Sequence, residues 1–158
     1  MDAPSRLSEL PEAEAVSAFR GCCGSRRWAE AMARGRPYPD EAALLGAAER
    51  AFALLGRADW LEAFAHHPRI GDREALAARF TASRALGWAA SEQGAVAVAS
   101  EEVLDGLLRG NREYEARFGH IFIVCATGKS AEEMLAILQA RLPNDHDAEL
   151  PIAAGEQR

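Results

Sequence analysis

Along most of this chain, apolar residues recur at the three- and four-residue spacing that keeps them on one face of a helix, and strand-like alternation is nearly absent. The chain is also rich in Ala, Leu, Glu and Arg, all strong helix formers. The clearest stripe is Leu44, Leu45, Ala48, Phe52 and Leu55, with Asp40 as its expected N-cap and Gly56 as its end. Helices are predicted before it over Glu12 to Phe19 and over Arg26 to Ala33, the second stopped by Gly35-Arg36-Pro37. After it, a short helix holding Trp60, Leu61 and Phe64 ends at His66-His67-Pro68. Glu74 to Phe80 and Arg84 or Trp88 to Val98 come next, and Ser100 is the expected cap of a helix through Leu104, Leu107, Leu108 and Tyr114. Gly106 and Gly110 weaken its middle. Ser130 and Glu133 have the spacing of a capping box for a helix reaching Leu142; Pro143 ends it, and a last helix begins near Asp145. Only Ile121-Phe122-Ile123-Val124 reads as extended, and it is too short for a sheet. The expectation is an all-α fold, a single compact bundle of about eight helices, forming one domain over residues 1–158.

Composition narrows the function classes. Apolar residues make up 49% and charged residues 27%, the balance of a globular chain rather than a disordered one. The net charge of −6 is interleaved along the sequence, which argues against a nucleic-acid surface but leaves room for a small anion held by local Arg side chains. Cys22, Cys23 and Cys125 make no disulfide framework, since adjacent cysteines are strained as a pair. Met1-Asp2-Ala3-Pro4 lacks the basic start and apolar run of a signal peptide, and no apolar stretch approaches the ~20 residues of a membrane span. A reduced, cytoplasmic setting with no membrane partner is expected.

Three segments could carry chemistry. In His66-His67-Pro68-Arg69-Ile70-Gly71-Asp72, a helix ends in two histidines, Pro68 forces a turn, and Asp72 can cap the next helix. Neighbours at a helix end point about 100° apart, so His66 and His67 should not share one task. The segment reads equally as a plain helix–loop–helix joint, His being favoured at helix C-termini, and as the site of a proton donor working near neutral pH. In Ala89-Ala90-Ser91-Glu92-Gln93, the carboxylate of Glu92 is either a solvated face or a group beside a packed wall, with Trp88 on one side and Gly94 to Val98 on the other. The third segment, Gly119 to Ser130, ends in Gly128-Lys129-Ser130, but a phosphate loop needs Gly where Ile123 stands. Phe122, Ile123, Val124, Cys125 and Ala126 are better read as an apolar wall whose backbone could hydrogen-bond a flat heterocycle, or as a buried core strand. No metal-ligand spacing is present, and Cys125, in an apolar setting, is expected to be an inert thiol.

With these segments, the chain resembles the 2-oxo-4-hydroxy-4-carboxy-5-ureidoimidazoline (OHCU) decarboxylase family from about Leu10 to Glu149. The marks are Trp28, Pro37, His67-Pro68-Arg69-Ile70-Gly71-Asp72, Glu92-Gln93, Asn111 with Tyr114, Phe118-Gly119, and Arg141-Leu142 with Asn144. The resemblance implies an all-helical, usually dimeric carboxy-lyase of purine metabolism, acting late in uric acid degradation to give (S)-allantoin, with no cofactor or metal. It implies that His67 is the proton donor assisted by Glu92. It also implies that Pro68, the stretch Ala89, Ala90, Ser91, Glu92 and Gln93, and the wall Phe122, Ile123, Val124, Cys125 and Ala126 bind the substrate. Two departures stand out. The family often has Ser where Ala89 stands, and its final helix usually carries a substrate-binding Arg beyond the position of Arg158, so that either the C-terminal helix is shortened here or another Arg, such as Arg69 or Arg141, is expected to meet the substrate carboxylate. The alternative is a catalytically impaired helical paralogue that partners other purine-catabolic enzymes.

Overall fold

A computed structural model describes residues 3–67 and 101–158. They fall into two compact units, one closing at His67 and the other holding residues 101–157. Among the described residues there are eight helices and no strand, so the fold is all-α.

The first unit contains α1 (Ala3–Glu9), α2 (Glu12–Cys22), α3 (Arg26–Arg34), α4 (Glu41–Ala53) and α5 (Arg57–Ala65). Local capping sets their starts. The Ser25 hydroxyl accepts from the Trp28 N–H at 3.3 Å, the Asp40 carboxylate accepts from the Ala43 N–H at 2.7 Å, and Asp59 reaches back to accept from the Gly56 N–H at 2.9 Å. α3 packs against α2, α4 and α5, and its buried face of Trp28, Ala29, Met32 and Ala33 is the middle of the core. Phe19 of α2 meets Trp28 and Tyr38 edge-on, at 6.0 and 6.5 Å between ring centres. The Trp28 indole donates to the Ala48 carbonyl at 3.0 Å, so the ring is buried without an orphaned N–H. Arg36 donates to the carbonyls of Leu7, Leu10 and Ala33 at 2.6–2.8 Å, tying the α1–α2 corner to the end of α3.

The second unit contains α6 (Glu101–Phe118), α7 (Ala131–Arg141) and α8 (His146–Gln157). The Ser130–Glu133 capping box forms as expected: the Glu133 N–H donates to the Ser130 hydroxyl at 3.2 Å, and the Ser130 N–H donates to the Glu133 carboxylate at 2.7 Å. Gly106 and Gly110, which argue against a helix by propensity, are what lets α7 come close. A Cβ at Gly110 would lie 2.6 Å from Leu138 Cδ2, and one at Gly106 would lie 2.9 Å from Leu135 Cδ2. Close packing of two helices outweighs the propensity cost of about 1 kcal/mol per glycine.

Some expectations are corrected. The helix α1 is absent from the sequence reading, which starts its first helix at Glu12. α2 runs three residues past Phe19. Leu45 is 57% exposed and lies off the core face of α4, whereas Leu44, Ala48 and Phe52 pack on the core and Leu55 is buried in it. Ile121 to Val124 forms no strand ladder with any described residue. The predicted helices of Glu74 to Phe80 and Arg84 or Trp88 to Val98, and the cap Ser100, lie outside the described residues. No helix among the described residues is long and apolar enough to cross a membrane.

Candidate functional site

His67 sits one residue past the C-cap of α5, and its N–H donates to the Phe64 carbonyl at 3.1 Å. Ala63 and Phe64 are fully buried, so the core itself anchors the backbone that carries the half-buried His67. His66 is engaged on its own side: its Nε2 lies 3.3 Å from Arg20 Nη2, and its Cβ occupies the space left by Gly24, where a side chain would fall 2.4 Å away. Arg20 also pairs with Glu62 at 3.1 Å, and the other Glu62 oxygen accepts from the Arg26 N–H at 2.9 Å. His66 therefore docks the end of α5 onto the α2–α3 turn. Pro68, Arg69, Ala89, Ala90, Ser91, Glu92 and Gln93 lie outside the described residues.

The wall from Phe122 to Ala126 belongs to the second unit, between α6 and α7. Gly119 at φ 75° and Gly128 at φ 73° mark the turns at either end, a left-handed conformation that favours glycine. Among the described residues, the wall is held by two helix side chains and one from the loop before α7, and by no neighbouring strand. Arg141 Nη1 donates to the Ile123 carbonyl at 2.8 Å, the Cys125 N–H donates to the Glu156 carboxylate at 2.7 Å, and Lys129 Nζ donates to the Cys125 carbonyl at 2.7 Å. Ile123 is buried and Phe122 and Val124 are half-buried, while Cys125 and Ala126 are exposed. The exposure of Cys125 corrects the apolar setting expected for that thiol. Lys129 and Ser130 have structural partners here, the Cys125 carbonyl and the capping box, in place of any phosphate role.

Behind the wall lies a network that sequence reasoning missed. Glu149 on α8 is fully buried and forms an ion pair with Arg141, whose side chain is 8% exposed. Arg141 Nε and Nη2 donate to one Glu149 oxygen at 2.8 and 2.5 Å, the Tyr114 hydroxyl donates to the same oxygen, and Asn144 Nδ2 donates to the other at 2.8 Å. The Arg141 guanidinium also lies 4.8 Å from the centre of the Phe122 ring and 5.8 Å from that of Tyr114. Burial alone would raise the Glu149 pKa, but hydrogen bonds from Arg141, Tyr114 and Asn144, with the Arg141 charge, bring it below the usual carboxylate value. Burial and the hydrogen bond to Glu149 push the Tyr114 hydroxyl well above its ordinary value. Arg141, expected as a partner of the substrate carboxylate, is thus committed to an internal carboxylate instead. The only signal in the sequence was that Arg141, Asn144 and Tyr114 all appeared among the marks of the resemblance, with nothing to join them.

Comparison with known proteins places this geometry. The family model for OHCU decarboxylase matches residues 8–158. The chain is 38% identical over 140 residues to the uric acid degradation bifunctional protein TTL of Arabidopsis thaliana; the match takes in 88% of this chain and 42% of that protein. The chain thus spans less than half the length of that curated relative. It is similar to a crystal structure of OHCU decarboxylase in the presence of (S)-allantoin, at 34% identity and a TM-score of 0.66, with 89% of this chain and 88% of that one covered. A crystal structure of (S)-allantoin synthase, at 18% identity and the same TM-score of 0.66, covers 99% of this chain and 50% of that one and shows a likeness of fold alone. With its all-α fold and a family match from residue 8 to residue 158, the chain belongs to the OHCU decarboxylase family.

Proposed function

We propose that the chain decarboxylates OHCU to (S)-allantoin without a cofactor, His67 donating the proton and Glu92 assisting. Membership of the family makes it a carboxy-lyase of urate degradation. The observation that carries the proposal is the family match over residues 8–158, a range that contains His67, Glu92 and the wall. We further propose that residues 1–158 form one functional domain, working as a cytoplasmic homodimer.

The chemistry asks little of a cofactor. When the bond from the ring carbon to the carboxylate breaks, carbon dioxide leaves and the bonding electrons move into the conjugated C=N of the substrate ring. That carbon must then take up a proton on one face. An imidazolium at the end of α5, its backbone anchored by the buried Ala63 and Phe64, meets the need, because positioning sets the face and the ring N–H supplies the proton. Glu92 supports the imidazolium by charge or accepts from the substrate hydroxyl. Pro68, Ala89, Ala90, Ser91, Gln93 and the wall of Phe122, Ile123, Val124, Cys125 and Ala126 bind the ring. Of the two arginines named for the substrate carboxylate, Arg141 is paired internally, so we assign that contact to Arg69.

Freshly prepared OHCU, which decays unaided to racemic allantoin, gives the test when followed by circular dichroism. The expected result is fast, one-handed formation of (S)-allantoin. No acceleration over the unaided reaction would favour an inactive helical paralogue, in keeping with Ala89 in place of the family's Ser. Glu92→Gln should lower the rate about 10²-fold or more if Glu92 takes part in proton handling; an unchanged rate would remove it from the site.

A further inference from the structure

The backbone groups of the wall that side chains hold fall on alternate residues. Ile123 offers its carbonyl to Arg141, and Cys125 offers its N–H to Glu156 and its carbonyl to Lys129. Among the described residues, the backbone groups of Phe122 and Val124 have no hydrogen-bond partner. With Ile123 and Cys125 held on either side of it, Val124 keeps an adjacent N–H donor and C=O acceptor that no described residue takes. Such a pair is complementary to a ureido or ring amide, which also carries N–H beside C=O.

We infer that Arg141 and Glu156 are positioning residues, which hold Ile123 and Cys125 so that Val124 presents its N–H and C=O to the amide edge of the substrate. The inference rests on the proposal that the wall touches the substrate. Glu149 keeps Arg141 aimed, since its carboxylate takes two of the guanidinium donors and leaves Nη1 for the Ile123 carbonyl. Glu156 is half-exposed and lies outside the buried network, so it can be altered with little risk to folding.

Two measurements on the full chain separate the inference from the proposal beneath it. In amide hydrogen exchange by NMR, Cys125 should exchange more slowly than Val124, and Glu156→Ala should speed Cys125 about tenfold or more, the effect of losing a charge-assisted hydrogen bond. In OHCU decarboxylation, Glu156→Ala should raise KM about tenfold while kcat changes less than about threefold, and Glu156→Gln, whose carbonyl still accepts, should recover most of the loss. A merely stabilising Glu156 would move the melting temperature and leave KM alone, which overturns the inference. So does a Cys125 exchange rate indifferent to Glu156→Ala. If the wild-type chain fails to accelerate decarboxylation, the decarboxylase proposal falls and the positioning role with it, whereas an active wild type with an unaltered Glu156→Ala KM refutes the positioning role alone.

Discussion

Glu149→Gln is the change that most directly weighs the buried network. The carboxylate is fully buried and receives two donors from Arg141, one from Tyr114 and one from Asn144. Gln has nearly the same shape, so the change leaves no cavity and isolates the electrostatics. Its amide oxygen can keep the Arg141 and Tyr114 bonds, but its NH2 then faces the donating Asn144 amide. More costly, the Arg141 guanidinium stays buried without its counter-charge. Removing one partner of a buried pair costs about 3–5 kcal/mol, a large part of the roughly 5–15 kcal/mol that stabilises a typical domain. With a urea slope of about 2 kcal/mol per molar, the unfolding midpoint followed by far-UV circular dichroism should fall by roughly 1.5–2.5 M. The double variant Arg141→Met with Glu149→Leu should lie closer to wild type than either single variant, because it removes both charges from the interior together. A loss below about 1 kcal/mol for Glu149→Gln would place the pair with weakly coupled, solvent-screened bridges and refute the reasoning.

Two further outcomes concern the same unit. Because the Glu149 pKa is lowered in the folded state, its contribution is complete above the unfolded carboxylate pKa and is lost as pH falls through the folded value. The urea midpoint should therefore drop more steeply between about pH 5 and about pH 2 in wild type than in Glu149→Gln, and equal slopes would contradict the assignment. Gly110→Ala should destabilise by about 1–3 kcal/mol despite the better helix propensity of Ala, since the new methyl meets the fully buried Leu138. Gly106→Ala meets the half-buried end of Leu135, which can swing aside, and should cost less than Gly110→Ala when both are compared by urea unfolding.

The features legible in the sequence were those decided within a few residues. Asp40 before the α4 stripe and the Ser130–Glu133 pair announce helix starts because the cap and its N–H lie three residues apart. Features that depend on distant parts of the chain were hidden. Leu45 fits the apolar stripe as well as Leu44, and only the neighbouring helices decide which of them faces the core. Gly106 and Gly110 look like weaknesses until α7 is seen to need their missing side chains. Arg141 looks like a free cation until Glu149 folds back onto it after the Pro143-Asn144 turn. The wall could be named from the resemblance, but the carboxylate of Glu156 that holds it lies 31 residues beyond Cys125.

The most direct test of the central claim is the rate and handedness of allantoin formation from fresh OHCU by His67→Asn beside wild type and beside a His66→Asn control. Asn keeps a polar side chain at the end of α5 but has no acidic imidazolium to deliver a proton. His67→Asn should retain the wild-type far-UV spectrum and lose about 10²–10⁴-fold in rate, with the residual product racemic, while His66→Asn keeps handed turnover. Fast, fully (S)-selective decarboxylation by His67→Asn would contradict the account.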